Sequence, residues 1–310
     1  MNTRQPVDAR AAALMCGLCA LWGLQQVAIK VAAPDMAPLL QLSIRSGLAA
    51  LLVWGVILWR GEGRGFDRAT LGPGIMVGLL FAVEFLFVGE GLRYTSASRM
   101  VIFLYCAPIF TAIGLHLCVP GERLSLLQWG GIVTAFVGVV VAFYGPADSA
   151  AAGADQRLGD AFGLLGAIAW AATTVTVRAT RLASAPASQT LLYQLLGAFG
   201  LLLVVAWASG QTDFQLSRTT VLSLAFQTLL IAFMSYLTWF WLLRHYLASR
   251  LGVLSFLTPL FGVVFGVWLL DETLEPAFVT GALLVMVGIV VVSGHDLFRQ
   301  RLAGRRLNNL

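Results

Sequence analysis

Apolar residues in this chain do not alternate with polar ones at the period of a strand. They come in long runs, separated by short polar or Gly/Pro-bearing connectors. Ten runs reach the roughly 20 residues that a helix needs to cross a hydrocarbon core about 30 Å thick. They are 11–33, 38–59, 71–93, 98–119, 125–145, 158–179, 188–209, 219–243, 250–270 and 276–295. The pattern predicts an all-α polytopic membrane protein with ten transmembrane helices. The connectors leave no soluble domain to hold an aqueous active site. The first run exceeds the roughly 7–15 apolar residues of a signal-peptide core, and Pro34 after it makes a poor cleavage site, so it reads as a retained helix.

The runs repeat. "ALWGLQQVAIKVA" from Ala20 matches "IAWAATTVTVRAT" from Ile168, setting Trp22 on Trp170 and Lys30 on Arg178. "SASRMVIFLYCAPIF" from Ser96 matches "LASRLGVLSFLTPLF" from Leu247, pairing Ala97-Ser98-Arg99 with Ala248-Ser249-Arg250 and Pro108 with Pro259. "GERL" at 121–124 then matches "DETL" at 271–274, and Gly131 and Gly138 match Gly281 and Gly288. The offset drifts only from 148 to 151. Each half, 11–145 and 158–295, holds five runs, and a basic tail follows at 296–310. Five is odd, so the second half enters the membrane from the opposite side. The halves are therefore inverted repeats, an architecture in which a substrate site lies between the repeats and access alternates by rocking.

Composition agrees with the pattern: 59% of the 310 residues are hydrophobic and 11% charged, against roughly 25% charged in soluble domains. Mean hydropathy is +0.84. Charge adds an orientation. With the N-terminus inside, fourteen of the twenty Lys and Arg residues, from Arg4 and Arg10 to Arg305 and Arg306, fall on the inner side. Five, Lys30, Arg93, Arg99, Arg157 and Arg218, fall on the outer side, and Arg45 lies within a run. The positive-inside rule then puts both termini in the cytoplasm and the acidic loops around Asp148, Asp155 and Asp271–Glu272 outside. This bias accounts for the net charge of +5 without a nucleic-acid partner. Cys16 and Cys19 form a C-x-x-C within an apolar helix with no second pair, and read as packing residues rather than a metal or redox site.

Together, Trp22 and Trp170, Pro108 and Pro259, the "GERL" and "DETL" turns and the glycine-bearing fifth runs resemble the drug/metabolite transporter superfamily, in its ten-helix EamA-type branch. The resemblance covers residues 11 to 294. It implies a bacterial-type inner-membrane exporter or permease for small metabolites, often amino acids or analogues. It also implies a central cavity walled by runs 3, 4, 8 and 9, completed by runs 1, 2, 6 and 7, with runs 5 and 10 outside. Pairs such as Gly74/Gly78 and Gly262/Gly266 read as close helix packing.

An ionisable group at the bilayer centre costs roughly 2.5–3.5 kcal/mol on insertion scales, which makes it a functional candidate. Glu90 has a local partner in Arg93, one turn on. Glu84 has none, and sits about 13 Å deep at 1.5 Å per residue; Arg45 sits about 10 Å deep from the same side. The depths predict a Glu84–Arg45 contact, direct or through substrate. A structural pair that fixes helix register is the alternative. Gln25, Gln26 and Tyr105 lie in a similar layer, and this set suits a zwitterion. The second half carries no such charges; its wall is aromatic and hydroxylic, with Trp170, Thr173, Tyr236 and Trp239, joined by Trp22 from the first half. Glu84 and His116 are the candidates for proton coupling; substrate exchange is the other coupling open to the chain. No cofactor or metal is expected, since the chain has no Walker A motif and no HExxH motif. The small-molecule exporter is therefore favoured over a lipid-flipping or regulatory protein on the same fold, and over a membrane-embedded enzyme.

Overall fold

A computed structural model describes residues 8–61, 68–118, 124–143, 150–246, 251 and 254–307. Two parts of the repeat therefore lie outside the described residues, Ala248-Ser249-Arg250 and Gly121-Glu122-Arg123, as do Arg4 and Asp148. The elements are α1 (Ala9–Ala32), α2 (Pro38–Trp59), α3 (Arg68–Gly91), α4 (Ala97–Leu104), α5 (Ala107–Cys118), α6 (Leu126–Phe143), α7 (Ala150–Ala179), α8 (Ala187–Ala208), α9 (Arg218–Ala225), a π-helical segment (Phe226–Ser235), α10 (Tyr236–His245), α11 (Leu257–Leu270) and α12 (Pro276–Leu307). Among the described residues, seven helices are long and apolar enough to cross a membrane. The shorter apolar stretches Leu126–Ala142, Leu257–Leu270 and Pro276–Val292 bring the set to the ten predicted. The last helix runs on to Leu307, through most of the basic tail.

Helix pairing follows the inverted repeat. α2 packs on α8 and α6 on α12, each helix on its own repeat counterpart. α1 packs on α11, as α7 packs on α4 and α5; α3 packs on α7, as the π segment packs on α1. The α6–α12 crossing is closest where glycines meet. A Cβ on Gly138 would come within 2.6 Å of the Gly281 carbonyl oxygen, and one on Gly131 within 2.9 Å of that of Gly288. The first glycine of one copy thus meets the second of the other, as a two-fold axis requires. With no hydrophobic drive between helices in lipid, this contact depends on backbone approach. Gly138→Val is therefore expected to cost about 1–3 kcal/mol, an overpacking penalty, seen as a lower melting temperature in detergent. Gly130, where a Cβ meets nothing within 4 Å, is the neutral control.

Both fourth spans are broken at matching points. The first turns at Tyr105–Cys106 and the second at Ser255–Phe256. The cause is proline: Pro108 has no N–H for the Leu104 carbonyl, nor Pro259 for that of Ser255. The Ser255 carbonyl accepts instead from Thr258 N at 3.0 Å. Span 8 departs from its partner differently, since Phe226–Ser235 is π-helical while α3 is regular. Hydropathy cannot register this, because a π segment has the same apolar composition as an α-helix. Long π segments are rare and concentrate at functional sites.

Candidate functional site

The deep polar side chains converge where α1, α2, α3, the Tyr105 break, α7 and span 8 meet. Arg45, on α2, is 1% exposed, and its Nε and Nη1 have no hydrogen-bond partner. Its guanidinium lies over the Phe85 ring, 4.3 Å from the centroid. A cation over a ring gains about 0.5–2 kcal/mol, which offsets only part of a buried charge. Glu84, one residue before Phe85 on α3, is 6% exposed. It makes no hydrogen bond or ion pair with any described residue. Arg45 and Tyr236 lie within its electrostatic reach.

The direct Glu84–Arg45 contact expected from matched depths is thus not formed: no ion pair joins them within the 4.0 Å of a salt bridge. The reason is local, because Phe85 presents its ring to the guanidinium. The two groups share a layer without pairing.

Aromatic pairs lie on the same elements. Trp22 and Trp239 meet edge-on at 5.8 Å, Phe81 and Tyr236 at 6.5 Å, and Tyr105 and Trp170 at 5.2 Å. Trp22 Nε1 donates to Ser235 Oγ at 2.9 Å. Gln25 and Gln26 are both buried, and Gln26 Oε1 has no partner; neither does Thr258 Oγ1. The sequence-predicted residues Arg45, Glu84, Gln25, Gln26, Tyr105, Trp22, Trp170, Tyr236 and Trp239 therefore all lie on the elements that enclose this centre. Two others make local bonds. The Thr173 hydroxyl donates to Ala169 O on its own helix at 3.0 Å. His116 sits near the end of α5, where Nδ1 accepts from Leu124 N at 3.0 Å and the ring meets Trp129 edge-on. Its position ties α5 to α6, and none of its contacts is shared with Glu84.

The face opposite the N-terminus holds a network that composition and spacing do not single out. Asp160, 0% exposed on α7, accepts from Arg99 Nε at 3.0 Å and Nη2 at 2.5 Å, and from Thr95 Oγ1 at 2.7 Å. Arg99 Nη2 also donates to Ala142 O at 2.7 Å. Lys30 Nζ donates to Thr95 O at 2.5 Å. α11 ends on Asp271 in the left-handed region (φ 53°), which turns Glu272 back onto the start of α4. There the Glu272 carboxylate accepts from Ala97 N (2.6 Å), Ser98 N (2.9 Å) and Ser98 Oγ (2.6 Å). Ser217 donates to Asp35 across the same face. Asp160 and Glu272 belong to the second half, and Arg99, Ala97 and Ser98 to the first, so these bonds lock the halves together. The legible signal was the acid repeated in "GERL" and "DETL". On the N-terminal face the halves are tied by Tyr246 OH to Asp8 Oδ2, Gln128 Nε2 to Val292 O and Gln189 Nε2 to Thr70 Oγ1, each at 3.1 Å. The Ala11 N–H holds the Asp8 carboxyl below its ordinary value, against the opposing cost of desolvation. Glu90 pairs with Arg93 at 2.7 Å, as expected, and also accepts from Gln211.

Comparison with known proteins agrees with this architecture. A solved crystal structure superposes with a TM-score of 0.65 at 18% identity, covering 95% of this chain and 99% of that one. An uncharacterized transporter of Bacillus subtilis, YoaV, is 22% identical over 87% of this chain and 91% of its own length. A probable amino-acid metabolite efflux pump of Escherichia coli is 26% identical over 87% of this chain and 90% of its own. The model of the EamA-like transporter family matches twice, at residues 9–144 and 157–294. Two matches of one family unit, in a ten-helix chain folded as an inverted repeat, establish that this protein belongs to the EamA-like transporter family.

Proposed function

We propose that the protein is a secondary transporter that exports a small zwitterionic metabolite, an amino acid or analogue, across the inner membrane by alternating access. The observation that carries this reading is the pair Arg45 and Glu84: opposite charges, both buried, neither neutralised by the other or by a described residue. Buried charges without partners are costly, and a site that keeps two of them gains from a ligand that carries their complements. The substrate carboxylate is assigned to the free Arg45 N–H groups and its ammonium to Glu84, with the rings of Trp22, Tyr236 and Trp239 against its apolar part. The efflux-pump name of the E. coli relative supports the amino-acid class. In this reading both termini are cytoplasmic, and the face carrying Asp160 and Glu272 is the outer one, closed here.

The test is uptake of a metabolite panel into proteoliposomes under imposed proton and substrate gradients, with Glu84→Gln beside the parent protein. Glu84→Gln is expected to weaken transport of the zwitterion about tenfold or more, the loss of one charge-assisted hydrogen bond. Normal transport by Glu84→Gln at every pH would remove Glu84 from the site. If no panel member moves under any gradient, the exporter reading fails.

A further inference from the structure

We infer that Trp170 is a positioning residue for Glu84: in the opposite conformation its indole N–H donates to the Glu84 carboxylate, replacing the bond that Trp22 now makes to Ser235. The inference rests on the alternating-access reading above, and on four observations. Trp170 matches Trp22 at the repeat offset of 148, and Glu84 matches Ser235 at 151, the offset that also relates Pro108 to Pro259. Trp22 Nε1 donates to Ser235 Oγ at 2.9 Å. The equivalent bond in the other half is absent: the Trp170 indole N–H and Glu84 have no hydrogen-bond partner among the described residues. Finally, the helices that carry the two groups are in contact beside them. Gly166, one turn before Trp170, lies against Glu84, where a Cβ would stand 3.5 Å from the Glu84 carbonyl oxygen. Trp170 packs against the buried cluster that holds Phe81 and Phe85.

Inverted repeats make an opposite state available by exchanging the conformations of the two halves. A contact made by one half in this state is then made by its counterpart in the other. One tryptophan N–H stabilises each state: Trp22 on Ser235 here, Trp170 on Glu84 there. The pairs differ in chemistry. Ser235 is neutral, and its hydroxyl is also anchored to Ile231 O at 2.6 Å. Glu84 carries the charge that the substrate site offers, so Trp170 would occupy it when the substrate has left. Trp170 thereby competes with substrate for Glu84 and keeps released substrate from rebinding on the outer side.

The test needs no substrate. The four native cysteines (Cys16, Cys19, Cys106 and Cys118) are replaced, and Val101→Cys is introduced as a reporter. Val101 is 0% exposed, beneath the Glu272 cap and against Gly262. The rate of maleimide labelling of the purified protein in nanodiscs then reports how often that face opens. Trp22→Phe is expected to raise the rate on the order of tenfold, the size of effect one hydrogen bond can supply. Trp170→Phe is expected to lower it by a similar factor, and the double variant returns close to the parent. Ser235→Ala should reproduce Trp22→Phe, and Glu84→Leu should reproduce Trp170→Phe, which covers a tryptophan variant that fails to fold. Simple loosening of the core would speed labelling in every variant. If both tryptophan variants raise the rate, or only Trp22→Phe moves it, the role given to Trp170 is wrong while alternating exchange survives. If no variant moves the rate, the alternating-access reading itself falls.

Discussion

Arg45→Met is expected to abolish transport while leaving the fold as stable as before, or more so. The two effects separate because Arg45 contributes little to the scaffold. Its Nε and Nη1 are buried without partners, and its guanidinium lies over the Phe85 ring at 4.3 Å. Methionine approximates the length of the arginine stem, keeps its packing and removes the desolvated charge; swaps of buried ionic groups for apolar ones are often neutral or stabilising by about 1–4 kcal/mol. Transport has the opposite dependence. If Arg45 holds the substrate carboxylate through one or two charge-assisted hydrogen bonds at roughly 1.5–3 kcal/mol each, its loss lowers the initial rate by about 100-fold or more. Arg45→Lys keeps the charge without the planar fork and should fall between the two. Proteoliposome flux and a melting curve of the same preparation check both halves of the expectation. A fall of several degrees in the Arg45→Met melting temperature would make Arg45 the register-fixing residue of the alternative reading, and not a binding residue.

How far such a site can be read from sequence depends on the range of the physics. Span positions follow from the hydrocarbon thickness, and all ten are helical where described apart from the turns in the two fourth spans. The broken fourth spans follow from Pro108 and Pro259, because a missing N–H acts within one turn. Glu84 and Arg45 stand out for the same local reason: neither has an oppositely charged residue three or four positions away. What sequence could not supply is the direction in which a deep side chain turns. Matched depth brought Arg45 and Glu84 to one layer, but the guanidinium lies on Phe85, and that choice depends on rotation of α2 against α3. For a related reason sequence did not show that the His116 ring turns to the α5–α6 connection. The π segment of span 8 and the buried Arg99–Asp160 pair were hidden by hydropathy itself. A window that averages over some 20 residues treats an acid two residues inside a span as an interfacial charge.

That hidden pair carries the second large expectation. Asp160→Ala should lower stability by about 3–5 kcal/mol, the cost of leaving a buried charge without its partner. Arg99 is 6% exposed, and Asp160 takes its Nε and Nη2; the Ala142 carbonyl, the Gln156 amide oxygen once that amide is turned, the Phe278 ring at 4.8 Å and a 4.0 Å approach to Glu275 remain to it. Thr95 loses its acceptor as well. Asp160→Asn keeps an acceptor oxygen and should cost less. Arg99→Met with Asp160→Leu removes both charges together, and should recover most of the loss, because the penalty lies in the unpaired guanidinium and not in the absence of attraction. A double-mutant cycle on melting temperatures measures this coupling. The cycle also bears on function. The bond joins the first half to the second on the face opposite the N-terminus, so in the proposed cycle it parts when that face opens. A coupling much above about 5 kcal/mol would make opening too rare for a transporter, and one near zero would mean the face is held by Glu272 and Lys30 instead. Between those limits the pair acts as a latch, strong enough to close the empty site and weak enough for a substrate-dependent difference to release it.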